Sequence, residues 1–119
     1  MENPSLFIDN SVWLRQLDRS IESNMSSLLL TNYQLAKTMR ISRRVLTNKL
    51  KESTGSTPRK YIREYRLNTA FKYLEAGKYH TVAEVAIAVG FVNVGYFNRK
   101  FINKFNTSPL QVLKDNGWR

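Results

Sequence analysis

Apolar positions recur along this chain at helical spacing, and polar caps and glycines cut the pattern into segments. From Ser11 to about Asn24, Trp13, Leu14, Leu17 and Ile21 share one face, while Arg15, Asp18, Arg19 and Glu22 lie off it. This is the pattern of an amphipathic helix, which Asn10 or Ser11 can cap. Trp13 reads as a packing residue rather than a ligand contact. Residues 1–10, with the single apolar cluster Leu6-Phe7-Ile8, read as a lead-in or linker. Asn24 to Leu30 is a connection, with Leu28-Leu29-Leu30 expected to cover the module that begins at Thr31.

Two further stretches repeat one plan. Thr31-Asn32-Tyr33-Gln34 and Thr81-Val82-Ala83-Glu84 are both capping-box patterns. The first opens a short helix, Tyr33 to Met39, with Leu35, Ala36 and Met39 inward. Arg40-Ile41 is the turn. Ser42 caps a longer helix, Arg43 to about Thr54, with Val45, Leu46, the stem of Lys49, and Leu50 as its inner face; Gly55 stops it. The second copy runs from Val82 to Val89, turns at Gly90-Phe91-Val92, and continues from cap Asn93 through Val94 to Phe105. Gly90 is expected at positive φ because this turn holds one extra residue. Asn106 stands where the first copy has Gly55. Ser108-Pro109 starts a last short helix, Leu110 to Asp115, closed by Gly117. Leu35 thus matches Val85, Ala36 Ala86, Ile41 Phe91 and, after one inserted residue, Leu46 Phe97, Leu50 Phe101 and Pro58 Pro109. Two copies are too few for a solenoid; each is a helix-turn-helix.

Between them lies TPRKYIREYRLNTAFKYLEA, residues 57–76. Thr57 is a good cap, Pro58 suits the first helical position, and Gly77 suits the position after the end. Tyr61, Ile62 and Tyr65 point one way, and Leu67, Ala70, Phe71 and Leu74 largely another, so this helix is expected to pack on two bodies. The predicted fold is all-α: two helix-turn-helix subdomains joined by a long central helix, about seven helices in all. The domain takes residues 11–119, with a first module 11–56, a bridge 57–76 and a second module 81–116.

Charge narrows the function. The formal net charge is +10, from 19 Lys+Arg against 9 Asp+Glu. Four acids (Glu2, Asp9, Asp18, Glu22) outnumber two bases (Arg15, Arg19) in the first thirty residues, so the excess lies in the remainder. That favours a polyanionic partner, nucleic acid before an anionic membrane. No cysteine is present, which excludes disulfides and thiolate chemistry. His80 stands alone in a loop, so neither a metal nor another cofactor is expected. No paired nucleophile and base or phosphate-cradling glycine loop points to an enzyme. No run is apolar enough to span a bilayer, and the start is unlike a signal peptide, so a cytoplasmic, nucleoid-associated location is expected.

Three strings carry a family resemblance: LA with SRRVLTNKLKESTGSTPRKYI (Leu35 to Ile62), RLNTAFKYL (Arg66 to Leu74), and EVAIAVGF with YFNRKFINKFNTSP (Glu84 to Pro109). They resemble the DNA-binding domain of the AraC/XylS family of bacterial transcription regulators over roughly residues 31–113. KLK-x-x-TG-x-TP and the leading helix look most like the output domains of Bacteroidetes-type hybrid two-component regulators. The resemblance implies sequence-specific duplex DNA as partner and transcription regulation as function. Exposed helix faces make RNA polymerase a further expected partner, and the acidic, amphipathic leading helix favours an output domain with a sensory or dimerisation domain upstream over a stand-alone regulator. The alternative is a protein-interaction output module that docks RNA polymerase or a receiver domain. Val94-Gly95 and Asn106 depart from the family pattern.

In a helix-turn-helix the first turns of the second helix face base edges. Arg44 can pair with guanine and Asn48 with adenine, and Thr47 can meet a thymine methyl. Arg43 and Lys51 suit phosphates. In the second module Val94, Asn98 and Arg99 are the candidate readers, and Lys100 and Lys104 the phosphate contacts. Gly95 has no side chain with which to read. Arg59, Lys60 and Arg63 on the bridge are further phosphate candidates, and Arg66 is expected either on phosphate or paired with Glu84. The first module is expected to read bases and the second mainly to position the backbone. A bridged pair of modules implies adjacent major grooves with centres ~34 Å apart, and bent DNA if the bridge does not flex.

Overall fold

A computed structural model describes residues 5–27 and 30–116. Its helices are α1 (Ser5–Ser23), α2 (Asn32–Thr38), α3 (Arg43–Thr54), α4 (Pro58–Ala76), α5 (Val82–Ala88), α6 (Val94–Phe105) and α7 (Pro109–Asp115), with no strand among the described residues. The all-α expectation holds. α1 starts at Ser5, earlier than its expected caps. Leu28, Leu29 and Gly117, which were expected to cover a module and to close the last helix, lie outside the described residues.

The chain forms two compact units. The first takes α1, the end of the connector at Leu30, α2, α3 and α4 as far as Ile62; the second takes Met25 to Ser27 of the connector and the chain from Arg63 onward. The change of unit inside α4 explains its split apolar faces. Ile62 is buried in the first unit, and Leu67, Ala70 and Leu74 in the second.

In the first unit the core is Trp13, Leu17 and Ile21 of α1, Leu35 and Ala36 of α2, Leu46 and Leu50 of α3, and Ile62. Lys49 lays its ammonium 5.1 Å from the centre of the Trp13 ring, which keeps the charge near water while its stem packs. Tyr61 donates from its hydroxyl to Asp18 Oδ1 at 2.6 Å. The starts of α2, α3 and α4 are capped from the side chain ahead of each: Gln34 N–H donates to Thr31 Oγ1, Val45 N–H to Ser42 Oγ and Lys60 N–H to Thr57 Oγ1. The turn takes a left-handed residue at Arg40, φ 59°, and closes with Ile41 N–H donating to Ala36 O at 3.0 Å.

The second unit repeats this plan with an aromatic core. Phe97 and Phe101 are fully buried; Phe91, Phe97, Phe101, Phe105 and Phe71 form a chain of ring contacts with centroids 4.6–5.9 Å apart. Val85, Ala86, Val89, Val112 and Leu113 complete it. Thr81 and Glu84 make the full reciprocal capping box. Phe91 N–H donates to Ala86 O at 2.8 Å, the counterpart of the Ile41 bond, and Gly90 at φ 98° stands at the place of Arg40. The left-handed residue therefore belongs to both turns and does not arise from the extra residue of the second. Gly55 (φ 75°) and Asn106 (φ 57°) end α3 and α6 in the same way, as the expected equivalence requires.

Candidate nucleic-acid interface

Capping by Ser42 fixes where α3 begins, and so which side chains its first turns present. Arg43, Arg44, Thr47, Asn48 and Lys51 are all exposed. Arg44, Asn48 and Lys51 fall at helical spacing on the side away from buried Leu46 and Leu50, Thr47 lies at the edge of that side, and Arg43, seven residues before Leu50, is exposed as the first residue of the helix. Thr47 Oγ1 donates to Arg43 O at 2.9 Å, which leaves its methyl and oxygen lone pairs outward. The Arg43 guanidinium sits 5.9 Å from the Tyr33 ring centre. Tyr33 at 57% and Val45 at 41% are exposed as well. Val45 was expected inside; the third helical residue instead turns outward beside Arg44. Arg59 and Lys60, also exposed, add positive charge at the start of α4 in this unit.

The second unit divides its candidates among three settings. Arg99 is exposed and Lys100 half-buried, and both lie over the Tyr96 ring, at 5.9 and 5.5 Å from its centre. Val94 and Asn98 are half-buried and, with Val82, Ile102, Leu110 and Leu113, line a groove of about 510 Å³. Lys104 donates to Glu64 Oε1 at 2.7 Å, and Arg63 Nε lies 3.9 Å from the other oxygen of the same carboxylate. The expected phosphate contacts Lys104 and Arg63 thus share one acid, with side chains 26% and 27% exposed. Gly95 also has a local purpose. A Cβ there would stand 3.2 Å from Asn93 Oδ1, the atom that caps α6.

Arg66 does not pair with Glu84, whose Oε1 accepts from Thr81 N–H and Oγ1. Arg66 Nη2 donates to Met25 O at 3.0 Å and Ser27 O at 3.4 Å, and burial pushes its guanidinium below its ordinary pKa. Tyr33, Val45 and Tyr96 are surface residues that sequence reasoning missed. Tyr96 had a readable signal: an aromatic residue in a first helical turn, three and four residues before two cations. Among the described residues no cluster of His, Asp or Glu could hold a metal ion, and no helix is long and apolar enough to cross a membrane.

A family model described as "Helix-turn-helix domain" matches residues 35–115, from α2 to the end of α7, and relatives and solved structures of AraC type accompany it. The chain belongs to the AraC/XylS family, within its DNA-binding domain. The histidine kinase P4 of Formosa agariphila is 33% identical over 98 residues, which are 82% of this chain and 7% of that protein. The transcriptional activator RhaS of Salmonella arizonae is 32% identical over 104 residues, 87% of this chain and 37% of the relative. The chain therefore spans well under half the length of these curated relatives. A transcriptional regulator of Chromobacterium violaceum with an AraC-type DNA-binding domain superposes with a TM-score of 0.81 at 25% identity, over 92% of this chain and 96% of its own. The matched span contains α3 and α6, the second helix of each helix-turn-helix, and the two-component link expected from the sequence agrees with the kinase relative.

Proposed function

We propose that this domain binds duplex DNA sequence-specifically, placing the first turns of α3 and α6 in major grooves, and that it regulates transcription in a bacterium as the output module of a longer protein. One observation carries the reading. The two modules reproduce the same left-handed turn, at Arg40 and Gly90, ahead of a capped second helix, at Ser42 and Asn93. Arg43, Arg44, Thr47 and Asn48 in the first turns of α3 are exposed. Arg44 and Asn48 suit purine edges; Arg43, Lys51, Arg59 and Lys60 suit the phosphates. In the second module Arg99 and Lys100, gathered at Tyr96, are the main DNA contacts. Val94 and Asn98 read where their half-buried side chains reach. Lys104 and Arg63 contact phosphate only by giving up Glu64.

The net charge of +10 supports a strong electrostatic component. Anisotropy titrations at several salt concentrations, with duplex DNA and duplex RNA of matched sequence, test the reading. Preference for DNA with a log–log salt slope of several units is expected, because the A-form major groove is too narrow for these helices. Equal affinity for both duplexes, or a flat salt response, contradicts it.

A protein-docking role is the second reading. Ile87 at the end of α5 and Val92 in the second turn, at 63% and 77% exposure, would suit a partner such as RNA polymerase. This role is compatible with the first.

A further inference from the structure

The residues that follow α1 belong to the second unit, although α1 itself belongs to the first. Met25 is 5% exposed there, and its carbonyl and that of Ser27 accept from Arg66 Nη2. The same carbonyl reaches the turn between α5 and α6. A Cβ on Gly90 would lie 2.1 Å from Met25 O and 2.8 Å from both Arg66 Nε and Nη2, so connector, guanidinium and turn fill one small volume. Backbone on one side and a tethered guanidinium on the other leave no room for a side chain. The next residue, Phe91, packs its ring on Phe97 and Tyr96, 5.0 and 6.2 Å between centroids, in the first turns of α6. Tyr96 in turn lies under Arg99 and Lys100.

Arg66 is unusual for a half-buried cation. None of the ion pairs among the described residues includes it, and its Nε is buried without a hydrogen-bond partner. Its loss of water is offset mainly by two connector carbonyls. Such a clasp holds the connector in place yet opens at modest cost, because release returns the charge to water.

We propose that Arg66 is a positioning residue for DNA recognition by α6: it clasps the connector behind α1 onto the Gly90 turn and thereby sets the first turns of the second recognition helix. A displacement of the connector at Met25 then reaches Arg99 and Lys100 through Gly90, Phe91 and Tyr96. The inference rests on the DNA-binding reading above.

The 119-residue chain, its Arg66→Lys and Arg66→Met variants, and a duplex selected for binding provide the test. Each half-site is scrambled in turn, and Asn98→Ala identifies the half-site read by α6. In the unsubstituted protein each scrambling should weaken binding by roughly tenfold or more. In Arg66→Met the penalty for scrambling the α6 half-site should shrink toward onefold, while the penalty at the other half-site stays. Lysine, with its charge but no fork of donors, should fall between. Amide exchange at Gly90 and Phe91 should quicken in step.

A folded Arg66→Met with both penalties unchanged overturns the proposal, and so does an equal loss at both half-sites, which a merely structural role would give. If methionine prevents folding, Arg66→Lys and Gly90→Ala carry the same comparison. If the unsubstituted protein shows no sequence preference, the DNA-reading role falls with the reading it rests on. Exchange at Gly90 and Phe91 still separates the cases: quickening preserves the clasp as a hold on the turn, and unchanged exchange removes that as well.

Discussion

Arg40 and Gly90 occupy the same place in two turns, but their surroundings differ. At Arg40 a left-handed residue with a side chain is tolerated at a cost of about 1 kcal/mol. At Gly90 the backbone of Met25 fills the space where a side chain would start. Gly55 offers the contrast, since it is left-handed at φ 75° with nothing within 4 Å of a built Cβ. Gly55→Ala should therefore cost about 1 kcal/mol in urea unfolding. Gly90→Ala should cost clearly more, because backbone has to move; equal losses would show that the conformation alone selects glycine. Arg44 and Arg99 differ at the same scale. Arg44 is exposed without a ring beneath it in the contacts described, and Arg99 rests over Tyr96. Arg44→Ala should relax base preference at one or two positions, by about 1–3 kcal/mol each. Arg99→Ala should weaken binding more evenly across sequences. A selection profile for each variant checks this, and equal flattening of preference in both contradicts it.

Helices here are set by their ends. Ser42, Thr57, Thr81, Asn93 and Ser108 each supply a side-chain oxygen to a backbone N–H three residues on. Ser42→Ala should lower stability by about 1 kcal/mol and fray the turn that presents Arg43 and Arg44. Thermal unfolding, together with the affinity for a selected site, reads both effects. If stability falls and affinity does not, the first turn of α3 does not need its cap for binding. Such caps are local chemistry, written within four residues, so the starts of α2 to α7 and the doubling of the module were legible in the sequence. Other features were not. α1 extends back to Ser5 without any of the expected caps. Val45 has the spacing of an inner residue, yet its packing neighbours leave it outward. The partners of Arg66 are backbone carbonyls about forty positions earlier, and a carbonyl carries no residue-type signal. The choice of Glu64 for Lys104 is equally non-local, at a separation of 40 residues. The exposed readers of α3 were legible because helix period and caps settle them. The half-burial of Val94 and Asn98 depends on α7 and on the loop before α5, which period does not reach.

Across the whole molecule, charge and duplication have to act together. A net charge of +10 attracts any polyanion, and counterion release makes that attraction salt-dependent and indifferent to sequence. Specificity has to come from the few side chains that α3 and α6 present, with each mismatched base pair worth about 1–3 kcal/mol. Both modules then contribute to one recognition event, and selection from a randomised duplex pool at two salt concentrations distinguishes this from binding by one module. An enriched motif of two parts is expected, with sharper preference in the part lost on Arg44→Ala and weaker preference in the part lost on Asn98→Ala. A motif only one module wide, or salt-sensitive binding to every duplex without enrichment, would contradict it.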